Sequence, residues 1–227
     1  MFWIPWRLSP SWRPTLPGSR WEQACWSSRT TTPWFWRVGL GLGWSKDEFD
    51  AVGVSLKDRG RRGEEFLRLL KAVWTSDPVE FHGEFFQVPR SFIGPKPVQK
   101  PHPPIYMAAF TPDALRRTAV FTNGWNPAGV PVEGMRQILA QLREMAKAAG
   151  RDPMALEVVV RANLYVTPRP QGADRGIFTG SLEQIKADVD RVRAMGAAEL
   201  FFDPTFALAE VTAESFIACM ERIRELV

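Results

Sequence analysis

Residues 104–126 read PIYMAAFTPDALRRTAVFTNGWN, and the parse of this stretch sets the fold class. Pro104 to Ala109 is a short apolar run and reads as a strand. Thr111 suits the cap of a helix, and Pro112 takes the first helical position, where its missing N–H costs nothing. That helix runs to Phe121. Asn123 to Asn126 (NGWN) follows as a very short strand. Strand, helix and strand in this order imply parallel strands joined by a helical crossover.

The same alternation continues on both sides. Upstream, Val38 to Gly43 (VGLGLG) alternates as a short buried strand, and glycines in a strand mark a close approach of ligand or backbone. Leu56 to Thr75 carries Phe66, Leu67, Leu69, Leu70, Val73 and Trp74 at helical spacing. Phe81 to Pro104 is a proline-rich connection with a small hairpin around His82-Gly83. Downstream, Val132 to Ala149 is a helix with Met135, Ile138, Leu139, Leu142 and Met145 on one face, stopped by Gly150. Glu157 to Thr167 is a strand rich in β-branched residues. Ser181 to Met195 is a helix whose Ser181-x-x-Gln184 fits a capping box and whose stop is Gly196. Glu199 to Asp203 is a strand, and Thr212 to Leu226 is the last helix. About five βα units result. Two α/β folds compete, a (β/α)8 TIM barrel and an open doubly wound sheet; a closed barrel needs eight units. Neither a GxGxxG fingerprint nor a P-loop occurs at a strand–helix turn.

The 227 residues are 45% hydrophobic and 24% charged, which excludes wholesale disorder. Their number favours one domain with a sizeable core. No apolar run of about 18 residues occurs, so no membrane partner is expected, and a cytoplasmic location is. Cys25 and Cys219 make neither a disulfide framework nor a zinc pattern, and two histidines argue against a His-rich site, so no metal is expected. The formal charge of +4 sits in residues 1–37, where Arg7, Arg13, Arg20, Arg29 and Arg37 face Glu22 alone; residues 38–227 hold 24 basic and 24 acidic groups. The neutral body offers no nucleic-acid footprint. The head also holds seven of the ten tryptophans and shows neither a helical nor a strand period. Interleaved Arg and Trp would suit a surface-binding or single-strand-binding arm. The simpler reading is that 1–37 is not native-like, and that 38–227 is the working part.

Five stretches of the body resemble the luciferase-like monooxygenase superfamily, in the right order: Gly39 to Ala51 (GLGLGWSKDEFDA), Asp58 to Trp74 (DRGRRGEEFLRLLKAVW), Phe81 to Phe86 (FHGEFF), Pro95 to Met107 (PKPVQKPHPPIYM) and Ala114 to Trp125 (ALRRTAVFTNGW). The nearest branch resembles the coenzyme F420-dependent oxidoreductases. The resemblance implies a TIM barrel, with a flavin or deazaflavin at the C-terminal ends of the strands. In the family, three further βα units precede the strand matching GLGLGW. Here the head stands in their place, so an incomplete, N-terminally truncated barrel is expected. Read in another frame, the codons of Trp34-Phe35-Trp36-Arg37 permit Val-Leu-Ala, and residues 21–37 permit a run resembling the family's third strand. A frameshifted head is therefore expected. Open edge strands would favour aggregation or a homo-oligomer.

Gly41 and Gly43 close the first body strand, where small residues let a flat ring lie close to backbone. The plain alternative is a tightly packed strand; the resemblance favours cofactor contact. Ala108, Ala109 and Thr111 form the loop before a helix N-terminus, whose free N–H groups favour a phosphate. The family often carries Gly-Gly at Ala108-Ala109, and two methyls narrow the backbone choices there. An ordinary capped helix is the alternative, and it is the favoured reading for the second such loop, Thr179-Gly180-Ser181. Trp125 reads as core that also edges the cofactor pocket. Asp47-Glu48 and Glu64-Glu65 diverge on a helix, so they make solvated faces rather than acid/base dyads. Arg59, Arg61 and Arg62 are expected in surface ion pairs, and His82 and His102 in structural roles.

The resemblance implies an oxidoreductase or monooxygenase using F420, alternatively FMN, to transfer a hydride to or from a small organic substrate. The cofactor supplies that chemistry, so no catalytic residue is named by the sequence. The rival is a non-catalytic remnant of the family.

Overall fold

The computed structural model describes residues 26–27, 36–205, 207–208 and 212–224. The expectations for the head therefore lie outside the described residues, except at Trp26-Ser27 and Trp36-Arg37. In chain order the elements are β1 (Trp26–Ser27), β2 (Val38–Leu40), α1 (Lys46–Ala51), α2 (Arg59–Thr75), β3 (Val79–His82), β4 (Gln87–Ser91), β5 (Ile105–Met107), α3 (Pro112–Phe121), β6 (Gly124–Trp125), α4 (Val132–Ala148), β7 (Glu157–Asn163), β8 (Tyr165–Val166), β9 (Thr179–Gly180), α5 (Leu182–Met195), β10 (Glu199–Asp203) and α6 (Ala213–Ile223). The five expected strand–helix pairs are present as β2–α2, β5–α3, β6–α4, β7–α5 and β10–α6. Described residues 36–125 and 144–156 make one compact unit; 126–143 and 157–224, with β1, make the other.

In the first unit β2 and β5 run parallel, with Val38 opposite Ile105 and Leu40 opposite Met107; β6 is parallel on the far side of β5. Leu40, Leu67, Ile105 and Met107 are the core, and Val38, Leu42, Phe66, Leu70 and Trp74 pack around it. The stripe on α2 is thus the one its periodicity called for. Burying Leu67 completely contributes about 1.5–3 kcal/mol. Helix and strand meet closely: a Cβ on Gly63 would stand 2.4 Å from Leu42 Cδ2. Helix α3 is capped as expected, with Thr111 Oγ1 accepting from the Ala114 N–H at 3.4 Å. Its far end is finished from outside. Arg151 donates through Nη1 to the Ala119 carbonyl and through Nη2 to Thr122 O at 2.8 Å, satisfying carbonyls that the helix leaves unpaired.

Helix α1 has no buried residue, in keeping with the solvated face expected for Asp47-Glu48. One feature of this unit departs from expectation. Glu65, expected on a solvated face, is buried. Its Oε2 accepts from the Glu84 N–H at 2.9 Å, and its Oε1 accepts from Phe85 at 2.9 Å and Phe86 at 2.7 Å. The carboxylate thus holds the turn of the β3–β4 hairpin. Burial pushes its pKa up, but the three N–H donors and Arg62 outweigh that and hold it below the ordinary glutamate value. Gly83 permits the approach, because a Cβ there would lie 1.9 Å from Glu65 Oε1. Arg61 does make the expected ion pairs, with Asp58 at 2.7 Å and Glu84 at 2.9 Å.

In the second unit β7 and β10 pair in parallel from Val159–Glu199 to Asn163–Asp203, and β1 is antiparallel on β10. The strand expected over Glu157 to Thr167 breaks after Asn163. Leu164 N–H still donates to Asp203 O at 2.9 Å, but Tyr165-Val166 leave to pair with β9. Ser181 and Gln184 form the capping box on α5, and Gly196 ends that helix with φ +87°. Inside, Asp188 is 2% exposed and takes Arg175 in a fork, Oδ2 to Nη1 at 2.6 Å and Oδ1 to Nη2 at 2.9 Å. The same carboxylate accepts the Phe178 N–H at 2.9 Å, tying the loop before β9 to α5.

Candidate functional site

Parallel strands present their C-terminal ends on one edge, and in α/β folds that edge receives ligands. In the first unit the register aligns the strand ends, with Leu40 opposite Met107 and Met107 opposite Trp125. The segments leaving them, Gly41 onward and Ala108 to Thr111, therefore emerge together. Side chains alternate along β2, so Val38, Leu40 and Leu42 face α2 while Gly39 and Gly41 present the opposite face. Gly41 is exposed, and a Cβ at Gly39 or Gly41 would meet nothing within 4 Å. That is an open, flat shelf.

The other predicted residues take distinct places around it. Ala108 is exposed, and its N–H reaches Leu40 O at 3.4 Å. Ala109 is buried, and its carbonyl accepts the Trp125 indole N–H at 2.9 Å. Trp125 itself is 1% exposed. Its contact with the shelf is therefore indirect: it pins the Ala108–Ala109 loop from beneath. Thr111 is exposed and engaged as the α3 cap. Gly43, with φ +78°, turns the chain away into α1, and a Cβ there would stand 2.9 Å from Phe49 Cε2. Two aromatic side chains on these segments face solvent, Trp44 at 87% exposure and Phe110 at 58%.

The second unit, taken by itself, has polar groups at its own strand ends that sequence reasoning missed. Arg161 and Asn163 on β7 pair in register with Phe201 and Asp203 on β10, so their side chains share one face near the strand ends. Asp203 Oδ2 accepts from Arg161 Nε at 2.9 Å and from Nη2, and Oδ1 accepts from the Thr205 N–H at 2.9 Å. Burial pushes the Asp203 pKa up; the Thr205 hydroxyl and N–H and the Arg161 charge outweigh that and hold it below the ordinary value. Among the described residues, buried Asn163 Oδ1 accepts no hydrogen bond. The signal was present: Arg161 and Asn163 are the polar residues at i and i+2 in an otherwise apolar strand interior.

Elsewhere in this unit Leu164, Val166, Ala207, Leu208 and Cys219 help to line a shallow cavity of about 170 Å³. It contains none of the predicted residues. Burial pushes the Cys219 thiol up, which disfavours the nucleophilic thiolate. Among the described residues, no cluster of three or more His, Cys, Asp or Glu side chains could hold a metal, and no helix is long and apolar enough to cross a membrane.

The luciferase-like monooxygenase family model matches residues 36–217. The chain belongs to that family. Among its relatives is an FMNH(2)-dependent dimethylsulfone monooxygenase of Pseudomonas putida, 31% identical over 163 residues, which are 70% of this chain and 43% of that protein. An uncharacterized protein of Mycobacterium tuberculosis H37Rv is 32% identical over 157 residues, 68% of this chain and 53% of its own length. The chain thus spans about half the length of these luciferase-like relatives. An F420-dependent secondary alcohol dehydrogenase, solved with an F420-acetone adduct, has a TM-score of 0.67 at 15% identity, covering 84% of this chain and 68% of that one. The monooxygenase RslO1 from Streptomyces bottropensis has a TM-score of 0.66 at 20% identity, covering 84% of this chain and 67% of that one. These likenesses give the fold as that of the luciferase-like TIM-barrel enzymes.

Proposed function

We propose that this chain is part of a flavin-type oxidoreductase or monooxygenase that acts on a small organic molecule, with F420 or FMN as its cofactor. The observation that carries the reading is the shelf at the ends of β2 and β5. Gly39 and Gly41 leave room where a side chain would stand, which fits the flat ring of a flavin or deazaflavin. Ala108 is exposed beside the shelf, its N–H reaching Leu40 O, and Trp125 fixes the backbone of that loop through the Ala109 carbonyl. At α3, the capped N-terminus offers N–H groups and a positive dipole end to a phosphate. When bound, the ring would supply the redox chemistry: hydride transfer to or from the substrate in an oxidoreductase, or, with dioxygen as co-substrate, the reducing equivalents for oxygenation in a monooxygenase. The residues of this chain bind and orient; none is assigned as an acid or base.

One relative is FMNH(2)-dependent and one structural neighbour is F420-dependent, so both cofactors are tested. Titration of the 227-residue chain with FMN and with F420, followed by fluorescence, tests the reading. Saturable binding of either is expected, weakened at least tenfold by Gly41→Leu, which fills the shelf. No binding of either cofactor would overturn the assignment and favour a non-catalytic member of the family.

A further inference from the structure

The cavity of the second unit joins apolar walls to one uncancelled charge. Ser215, Ala218, Cys219 and Arg222 lie at i, i+3, i+4 and i+7 on α6, so one face of that helix lines it. Leu164, which is buried, and Leu208 add apolar surface. The volume of about 170 Å³ is that of about six waters, each taking about 30 Å³. Water inside finds few polar partners. The Ser215 hydroxyl is engaged at the helix cap, donating to Thr212 O at 3.1 Å and accepting the Thr212 N–H at 3.0 Å. Burial pushes the Cys219 thiol up, so it stays neutral and brings no negative charge. Arg222 is exposed, and among the described residues no carboxylate pairs with it. The carboxylates of α6 itself, Glu214 and Glu221, are exposed and neither lines the cavity.

We propose that this cavity binds a short-chain carboxylate, its charge at Arg222 and its alkyl chain against Leu164 and Leu208. The planar guanidinium offers a carboxylate paired N–H donors, which fixes the head of the ligand at the exposed end. The alkyl chain displaces water that the apolar walls hold poorly. All of these residues belong to the second unit, so the proposal stands independently of the cofactor reading.

Cys219 reports occupancy, since a bound chain covers its thiol. In the full chain carrying Cys25→Ser it is the one cysteine left. Its alkylation by neutral iodoacetamide is followed by mass spectrometry while hexanoate, 1-hexanol or hexylammonium is titrated. Hexanoate is expected to slow the reaction saturably. Hexanol, with the same chain and no charge, should need a concentration about 3- to 10-fold higher, and hexylammonium should protect least. Added salt should weaken protection by hexanoate and spare that by hexanol. Arg222→Gln, at an exposed position, should bring hexanoate down to the level of hexanol. Absence of saturable protection by any probe overturns the proposal. So does equal protection by all three in the Cys25→Ser chain, which needs no further variant and would mean an apolar crevice without charge selection. A preference for hexanoate that survives Arg222→Gln overturns it as well, because the charge would then be read elsewhere.

Discussion

Asp203 and Glu65 show how two carboxylates can be held ionised by different means. Glu65 is surrounded by backbone donors from a single turn, while Asp203 relies on Thr205 and on a guanidinium from the neighbouring strand. For Asp203 the folded pKa lies below the unfolded value of about 3.9. Its contribution to stability is therefore complete above that value and is lost as pH falls through the folded pKa. Urea midpoints of the wild type and Asp203→Asn, measured between pH 7 and pH 2, are expected to show the wild-type advantage at neutral pH and its shrinkage below about pH 4. A gap that widens on acidification would contradict the pairing.

At the scale of the element, α5 carries the most concentrated tie. Asp188 receives the Arg175 fork and the Phe178 N–H, and so fixes the loop that leads into β9. Asp188→Ala leaves a guanidinium, itself 16% exposed, without its partner. A loss of about 3–5 kcal/mol is expected by urea unfolding, and Arg175→Ala in the same chain should restore part of it by removing the stranded charge. The sequence announced α5 clearly, since capping box, apolar face and glycine stop all point one way. It announced β5–α3 as well, because strand ends and caps are local signals. Other features were not local. Whether Glu65 points to water depends on a turn 19–21 residues away, and Asp188 matters through Arg175 thirteen residues earlier. Trp125 was legible as core, but its hold on Ala109 required the pairing of β5 with β6 to be known. Arg161 and Asn163 passed unnoticed because a β-branched strand drew attention to its apolar residues.

For the molecule as a whole, the two compact units divide the stability question. Each has its own parallel strand pair, β2–β5 in one and β7–β10 in the other. Leu67→Ala removes a fully buried side chain from the first, with an expected cost of about 2–5 kcal/mol. Hydrogen exchange in low urea should then quicken in α2, β2 and β5 and leave β7 and β10 protected. Uniform loss of protection would mean that the units open as a single cooperative block.

The guanidinium that finishes α3 has a temporal meaning. Arg151 lies 32 residues beyond Ala119 and 29 beyond Thr122, whose carbonyls it serves. A chain growing from its N-terminus makes α3 first and must extend through all of α4 before that partner exists. At about 5–20 residues per second, the wait is about 1.5–6 seconds. During synthesis the helix must hold its end with water alone, and the first unit can be completed only after part of the second has already left the ribosome.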